Sequence, residues 1–198
     1  MLVEETTVPV AALAVDQFKE HLRLGTGFAD DGIQDGLLEG HLRASMAAIE
    51  ARTGKILVER TFSWTLTAWR DARRQPLPVS PVSAISDVSF IEPNGVVTTI
   101  DPDLWYLEPD MQRPSLQPIG TCLPAIAPTV SVKIGMLAGF GPEWDDLPAD
   151  LAQAVLLLAA HFYEFRFDVT RAAPPFPIGV LALIERYRTV RMFMGGRV

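Results

Sequence analysis

The apolar residues of this chain change period twice along its length, and that double switch limits the possible folds more than any other feature. Ile33, Leu37, Leu38, Leu42, Ala48 and Ile49 recur at near-helical spacing. Phe62, Trp64 and Leu66 then alternate with Thr61, Ser63, Thr65 and Thr67, and Leu151, Val155, Leu158, Phe162 and Phe165 return to helical spacing. A period near 3.6 lines one stripe of a helix, whereas a period of two lines one face of a strand. Strands are thus confined to the middle of the chain between helical segments, a segregation that predicts an α+β fold.

Punctuation between these segments fixes the expected boundaries. Val15, Phe18 and Leu22 predict a first helix over about 15–23, with Gly25 as its stop. Asp31-Gly32-Ile33-Gln34 reads as a capping-box variant opening a second helix, and Thr53-Gly54 closes it. Pro76, Pro78 and Pro81 mark an edge or crossover, because proline cannot donate to a ladder. A strand starting at Val88 and Phe90 turns at Glu92-Pro93-Asn94-Gly95 into Val96–Ile100, a hairpin. Five prolines between residues 109 and 128 predict a long surface loop. Val130, Val132, Ile134 and Met136 form a last strand, ended by Gly139-Phe140-Gly141-Pro142. Pro148 suits the first position of a third helix, and Val180, Leu183, Ile184 and Tyr187 mark a fourth. The chain therefore reads as one domain over 1–198. Helices over about 15–54 and 147–188 form a bundle body of about four helices, 55–141 an inserted small antiparallel β lobe, and 189–198 a tail.

Composition narrows the function classes. With 48% hydrophobic residues in 198, the chain has material for a core that needs no metal or disulfide staple, and Cys122 is the single cysteine. Glu4 and Glu5 stand where a secretory signal carries positive charge, and the apolar run Leu151–Ala160 is far short of the ~20 residues that span a bilayer, so no membrane partner is expected. Seventeen basic against 24 acidic residues give a net charge of −7, unfavourable for gripping phosphate backbones. The charge is unevenly spread. Asp101, Asp103, Glu108, Asp110, Glu143, Asp145, Asp146 and Asp150 face only Arg113 and Lys133 across residues 101–150, whereas Arg186, Arg188, Arg191 and Arg197 outnumber Glu185 at the C-terminal end.

Residues that carry chemistry in other proteins have simpler roles here. His21, His41 and His161 each fall in a predicted helix and form no metal motif. His161 and Glu164 share a face, yet no second Glu-x-x-His accompanies them. Asp145, Asp146 and Asp150 flank Pro148, and Asp30, Asp31 and Asp35 open the second helix, positions where carboxylates favour the positive end of a helix dipole. Gly139-Phe140-Gly141 lacks the lysine and hydroxyl residue of a phosphate loop, and no Gly-x-Ser-x-Gly elbow occurs. Trp64 lies on the apolar face of its strand, which favours a core role over base or sugar stacking; Trp69, Trp105 and Trp144 stay open. No catalytic residue, metal or cofactor is expected, and an enzyme is not the reading.

In order and spacing, several segments resemble the phage head-tail connector (adaptor) family, found in tailed phages and gene transfer agents. They are Phe18-Lys19-Glu20-His21-Leu22-Arg23-Leu24, Asp30-Asp31, Ile49-Glu50-Ala51-Arg52-Thr53-Gly54 and Thr61-Phe62-Ser63-Trp64-Thr65-Leu66. Further along come Pro76-Leu77-Pro78, Val82-Ser83-Ala84-Ile85-Ser86-Asp87-Val88, Ala138-Gly139-Phe140-Gly141, Leu147-Pro148 and the helix from Ala152 to Glu164. The resemblance implies a ring, usually of twelve subunits, between the portal of the head and a tail-side connector or stopper. It implies a neck location in a particle made in a bacterial cytoplasm, and DNA passing through the lumen without specific binding, with the acidic stretch 101–150 as candidate wall. It also implies that the C-terminal tail docks on the portal. Arg188, Arg191 and Arg197 are suited to carboxylates there, and Met192, Phe193 and Met194 to adaptable apolar anchoring. Three lysines against fourteen arginines among the 17 basic residues fit a GC-rich bacterial origin. The alternative is a small bacterial binding module that holds a peptide or carbohydrate on its β lobe.

Overall fold

The computed structural model describes residues 1–23, 34–165 and 176–188. Among the described residues, four helices build one hydrophobic core: α1 (Val15–His21), α2 (Asp35–Thr53), α3 (Ala149–Glu164) and α4 (Ile178–Ile184). Phe18 of α1, Leu38, Leu42, Met46 and Ile49 of α2, Leu151, Val155 and Leu158 of α3, and Val180 and Ile184 of α4 are all buried in it. These are the helical-period residues of the sequence, so the amphipathic stripes face one another as their spacing requires. Helix α2 closes on Gly54 at φ 70, whose N–H donates to the Glu50 carbonyl at 2.8 Å, the left-handed cap that only glycine adopts without strain. Helix α1 ends sooner than its pattern suggests, because Arg23 already stands at φ 54. Gly25, Asp30 and Asp31 lie outside the described residues.

The chain between α2 and α3, joined by a short strand from the N-terminal end, forms two antiparallel sheets. The larger has the order β1-β2-β8-β4-β5, from β1 (Leu2–Glu4), β2 (Arg60–Leu66), β4 (Val82–Ile91), β5 (Val97–Thr99) and β8 (Ser131–Ala138). The smaller has the order β3-β7-β6, from β3 (Gln75–Pro76), β6 (Trp105–Glu108) and β7 (Ser115–Pro118). Phe62, Val82, Val88, Val132, Ile134, Met136 and Leu116 make a second core, with Trp64, Trp69 and Trp105 packed against it. Trp144, by contrast, is buried in the helical core. The expected hairpin is present. Gly95 at φ 85 donates its N–H to the Glu92 carbonyl, and Glu92 donates back to Val96, both at 2.9 Å.

Three expectations need correction. The proline-rich stretch 109–128 is not wholly a loop, since β7 lies within it and buries Leu116 completely. The strand containing Val88 begins six residues earlier, at Val82, with irregularities between Val82 and Ala84 and between Ile85 and Asp87 that erase the alternation. Pro148 caps α3 and is not its first helical residue.

The two cores meet along a hydrogen-bonded seam. The N–H of Phe140 donates to the Leu57 carbonyl at 2.9 Å, and that of Glu59 to the Gly141 carbonyl at 2.8 Å. Gly139 makes this approach possible: at φ +143, a Cβ there would lie 2.4 Å from backbone atoms of Glu59.

Candidate functional site

The described residues that precede the expected docking tail are clamped to the body. Tyr187 is buried, its hydroxyl donates to Asp150 Oδ1 at 2.7 Å, and its ring stands edge-on to Phe140 at 6.3 Å. Arg186 pairs with Asp150 Oδ2 at 2.8 Å, lies 4.7 Å over the Tyr187 ring and also donates to its hydroxyl. Burial pushes the Tyr187 phenol up from its ordinary value, which keeps it a donor. Asp150 therefore does more than complement the α3 dipole. It fastens the turn after α4 to the start of α3. Of the six expected docking residues, Arg188 is described: exposed, with Nη1 at 3.0 Å from Glu185 Oε2. Arg191, Met192, Phe193, Met194 and Arg197 lie outside the described residues.

The carboxylates of the acidic stretch 101–150 are divided between elements of the two cores, and many are engaged. Glu108 accepts from Ser115 and pairs with Arg74 at 3.2 Å. Asp110 accepts from the N–H groups of Arg113 and Gln112, which hold its carboxyl below the usual carboxylate range. Asp146 accepts from the Glu143 N–H at 2.9 Å beside the helical core. Sequence counting recorded the charge without its placement, because a linear stretch can serve two bodies.

Two polar centres had no sequence signal. Lys55, fully buried, donates to Ser80 Oγ at 2.8 Å, to Gln112 Oε1 at 2.9 Å and to the Met111 carbonyl, tying the 110–113 loop to the end of α2. Desolvation lowers its pKa. Arg60, almost buried on β2, bridges Glu50 of α2 at 2.6 Å and Glu4 of β1 at 3.0 Å. Glu50 also accepts from the Leu57 N–H at 2.9 Å. Both centres tie α2 and the residue after it to the β region. Among the described residues, no three His, Cys, Asp or Glu side chains come together to hold a metal, and no helix is long and apolar enough to cross a membrane. His161 packs its ring 4.7 Å from that of Phe165.

The comparisons with known proteins give these surfaces their context. No family model and no curated protein matches the chain. A chain in the neck of an empty gene transfer agent (GTA) particle, computed with C6 symmetry, is 50% identical over 98% of both chains, with a TM-score of 0.89. The chain belongs to the phage and gene-transfer-agent neck connector family. Other solved relatives include a chain of the virion of a native GTA particle, 50% identical with a TM-score of 0.87. A third, in the neck of a native GTA particle computed with C12 symmetry, is 44% identical with a TM-score of 0.82; both again cover 98% of each chain. The α+β layout of this neck connector, helical core and β sheets together, is thus matched over almost its whole length.

Proposed function

We propose that this chain is the adaptor subunit of a particle neck, assembling into a ring of twelve between the portal and the tail-side connector or stopper and giving DNA a passage. The full-length likeness to chains of GTA necks, at 44–50% identity over 98% of the chain, carries the reading. Neck structures computed with C6 and C12 symmetry support a ring whose order is a multiple of six. The work is structural: the subunit binds neighbours and transforms no substrate. Residues 189–198 dock on the portal, with Arg191 and Arg197 pairing with carboxylates and Met192, Phe193 and Met194 entering apolar pockets. The clamp of Tyr187 and Arg186 on Asp150 holds the root of that tail, so a captured tail pulls on the helical core and not on a loose end. Removing residues 189–198 tests the reading. The truncated chain is expected to keep its helical circular-dichroism signal and melting temperature while losing portal association; unchanged affinity for portal rings contradicts it.

A further inference from the structure

Two surfaces near opposite ends of α2 carry opposite charge. At its N-terminal end a groove of about 890 Å³ has a floor from the chain between Pro9 and Val15 and a carboxylate rim of Asp16, Asp35, Glu39, Glu143 and Asp145. Lys19 pairs with Asp35 at 2.7 Å and Arg43 lies 3.7 Å from Glu39, so part of this charge is answered within the subunit. Asp16 lies 3.6 Å from Lys19 Nζ yet has a side chain 96% exposed, and Asp145 is exposed too. Near the C-terminal end, which shares a surface depression with Ala68–Arg70, the turn Arg70-Asp71-Ala72-Arg73-Arg74 stands out with all five residues exposed. It is preformed: the Arg73 N–H donates to Asp71 Oδ1 at 2.8 Å, and the Leu123 N–H to the Ala72 carbonyl at 2.8 Å. Arg74 is paired with Glu108, whereas Arg70 and Arg73 have no ion pair among the described residues. The nineteen residues of α2 separate the two ends by about 28 Å, at 1.5 Å per residue.

A knob and a groove of opposite charge on different parts of one chain cannot satisfy each other within it. They make a heterologous, head-to-tail contact that closes into a ring when the rotation permits. We propose that the Arg70–Arg74 turn of one subunit seats in the Asp16/Asp145 groove of the next, and that this contact sets the direction and order of the ring. Arginine suits the role, because its planar fork pairs with carboxylates in a fixed geometry while its stem covers the apolar floor. The inference rests on the ring reading above and adds the surface that forms it.

Charge exchange tests it, read by light scattering and sedimentation of the full chain, alone and with portal rings. The Arg70→Glu/Arg73→Glu pair and the Asp16→Lys/Asp145→Lys pair are each expected to weaken self-association by about tenfold or more, since each opposes like charges. All four changes together, or the two pairs mixed, restore assembly, which a folding defect cannot do. Wild-type assembly weakens as salt shortens the screening length from about 10 Å at 0.1 M to about 3 Å at 1 M. Rings that form equally well with either pair overturn the surface assignment and leave the ring reading standing. A wild-type chain that stays monomeric even on the portal overturns both. If the arginine pair loses duplex-DNA binding while rings persist, the turn faces nucleic acid and the inference is wrong.

Discussion

Arg60 on β2 lies 2.6 Å from Glu50 on α2, and the two side chains are only 8% and 12% exposed. This pair, extended by Glu4 at 3.0 Å, joins the helical core to the larger sheet at a point where neither charge meets bulk water.

Breaking that pair is expected to cost far more than losing a surface ion pair, because the surviving charge stays buried without its partner. Arg60→Met should lower unfolding free energy by about 3 to 5 kcal/mol. Arg60→Met with Glu50→Leu should cost much less, since no charge is stranded. Urea unfolding of the three proteins checks this, and equal losses for the single and double variants refute it.

Leu158 of α3 is fully buried in the helical core. Leu158→Ala is expected to destabilise by about 2 to 5 kcal/mol, combining lost transfer energy with the cavity left behind. A shift under about 0.5 kcal/mol would remove α3 from the core.

Lys55 gives the fold a pH signature. Burial depresses its pKa below the ordinary 10.5, so on raising the pH the folded chain releases this proton before the unfolded chain does. Where the unfolded state holds more protons, stability rises with pH. The stability of the wild-type protein relative to Lys55→Met is therefore expected to rise with pH from just below the depressed folded value up to about 10.5. Paired denaturant titrations across alkaline pH measure it. A wild-type stability that falls relative to Lys55→Met over that range would mean that the attraction of the Asp110 charge, and not desolvation, governs the group.

The helical half of this fold was legible because α2 and α3 carry their apolar residues at one period over 19 and 16 residues, long enough for a pattern to stand clear. The smaller sheet was not. Its strands are two to four residues long, two of them contain a proline, and they pair across long stretches of chain, as Gln75 with Leu116 does. No local period records such a pairing. β1 escaped notice for the same reason, being three residues joined to Phe62–Trp64. Lys55 reads as an isolated lysine after a helix cap; its burial exists only because residues 111–112 fold over it. The docking residues were chosen by their chemistry, and of these Arg188 proves to have an intramolecular partner in Glu185.

The most direct test of the neck-adaptor account is electron microscopy of the full chain mixed with purified portal rings. The account predicts a second ring stacked coaxially on the tail-side face of the portal, twelve subunits around an open lumen, with density from each subunit's C-terminal end running into the portal. Portal rings that remain bare at saturating concentrations of the chain, or that carry it as scattered monomers, would contradict it.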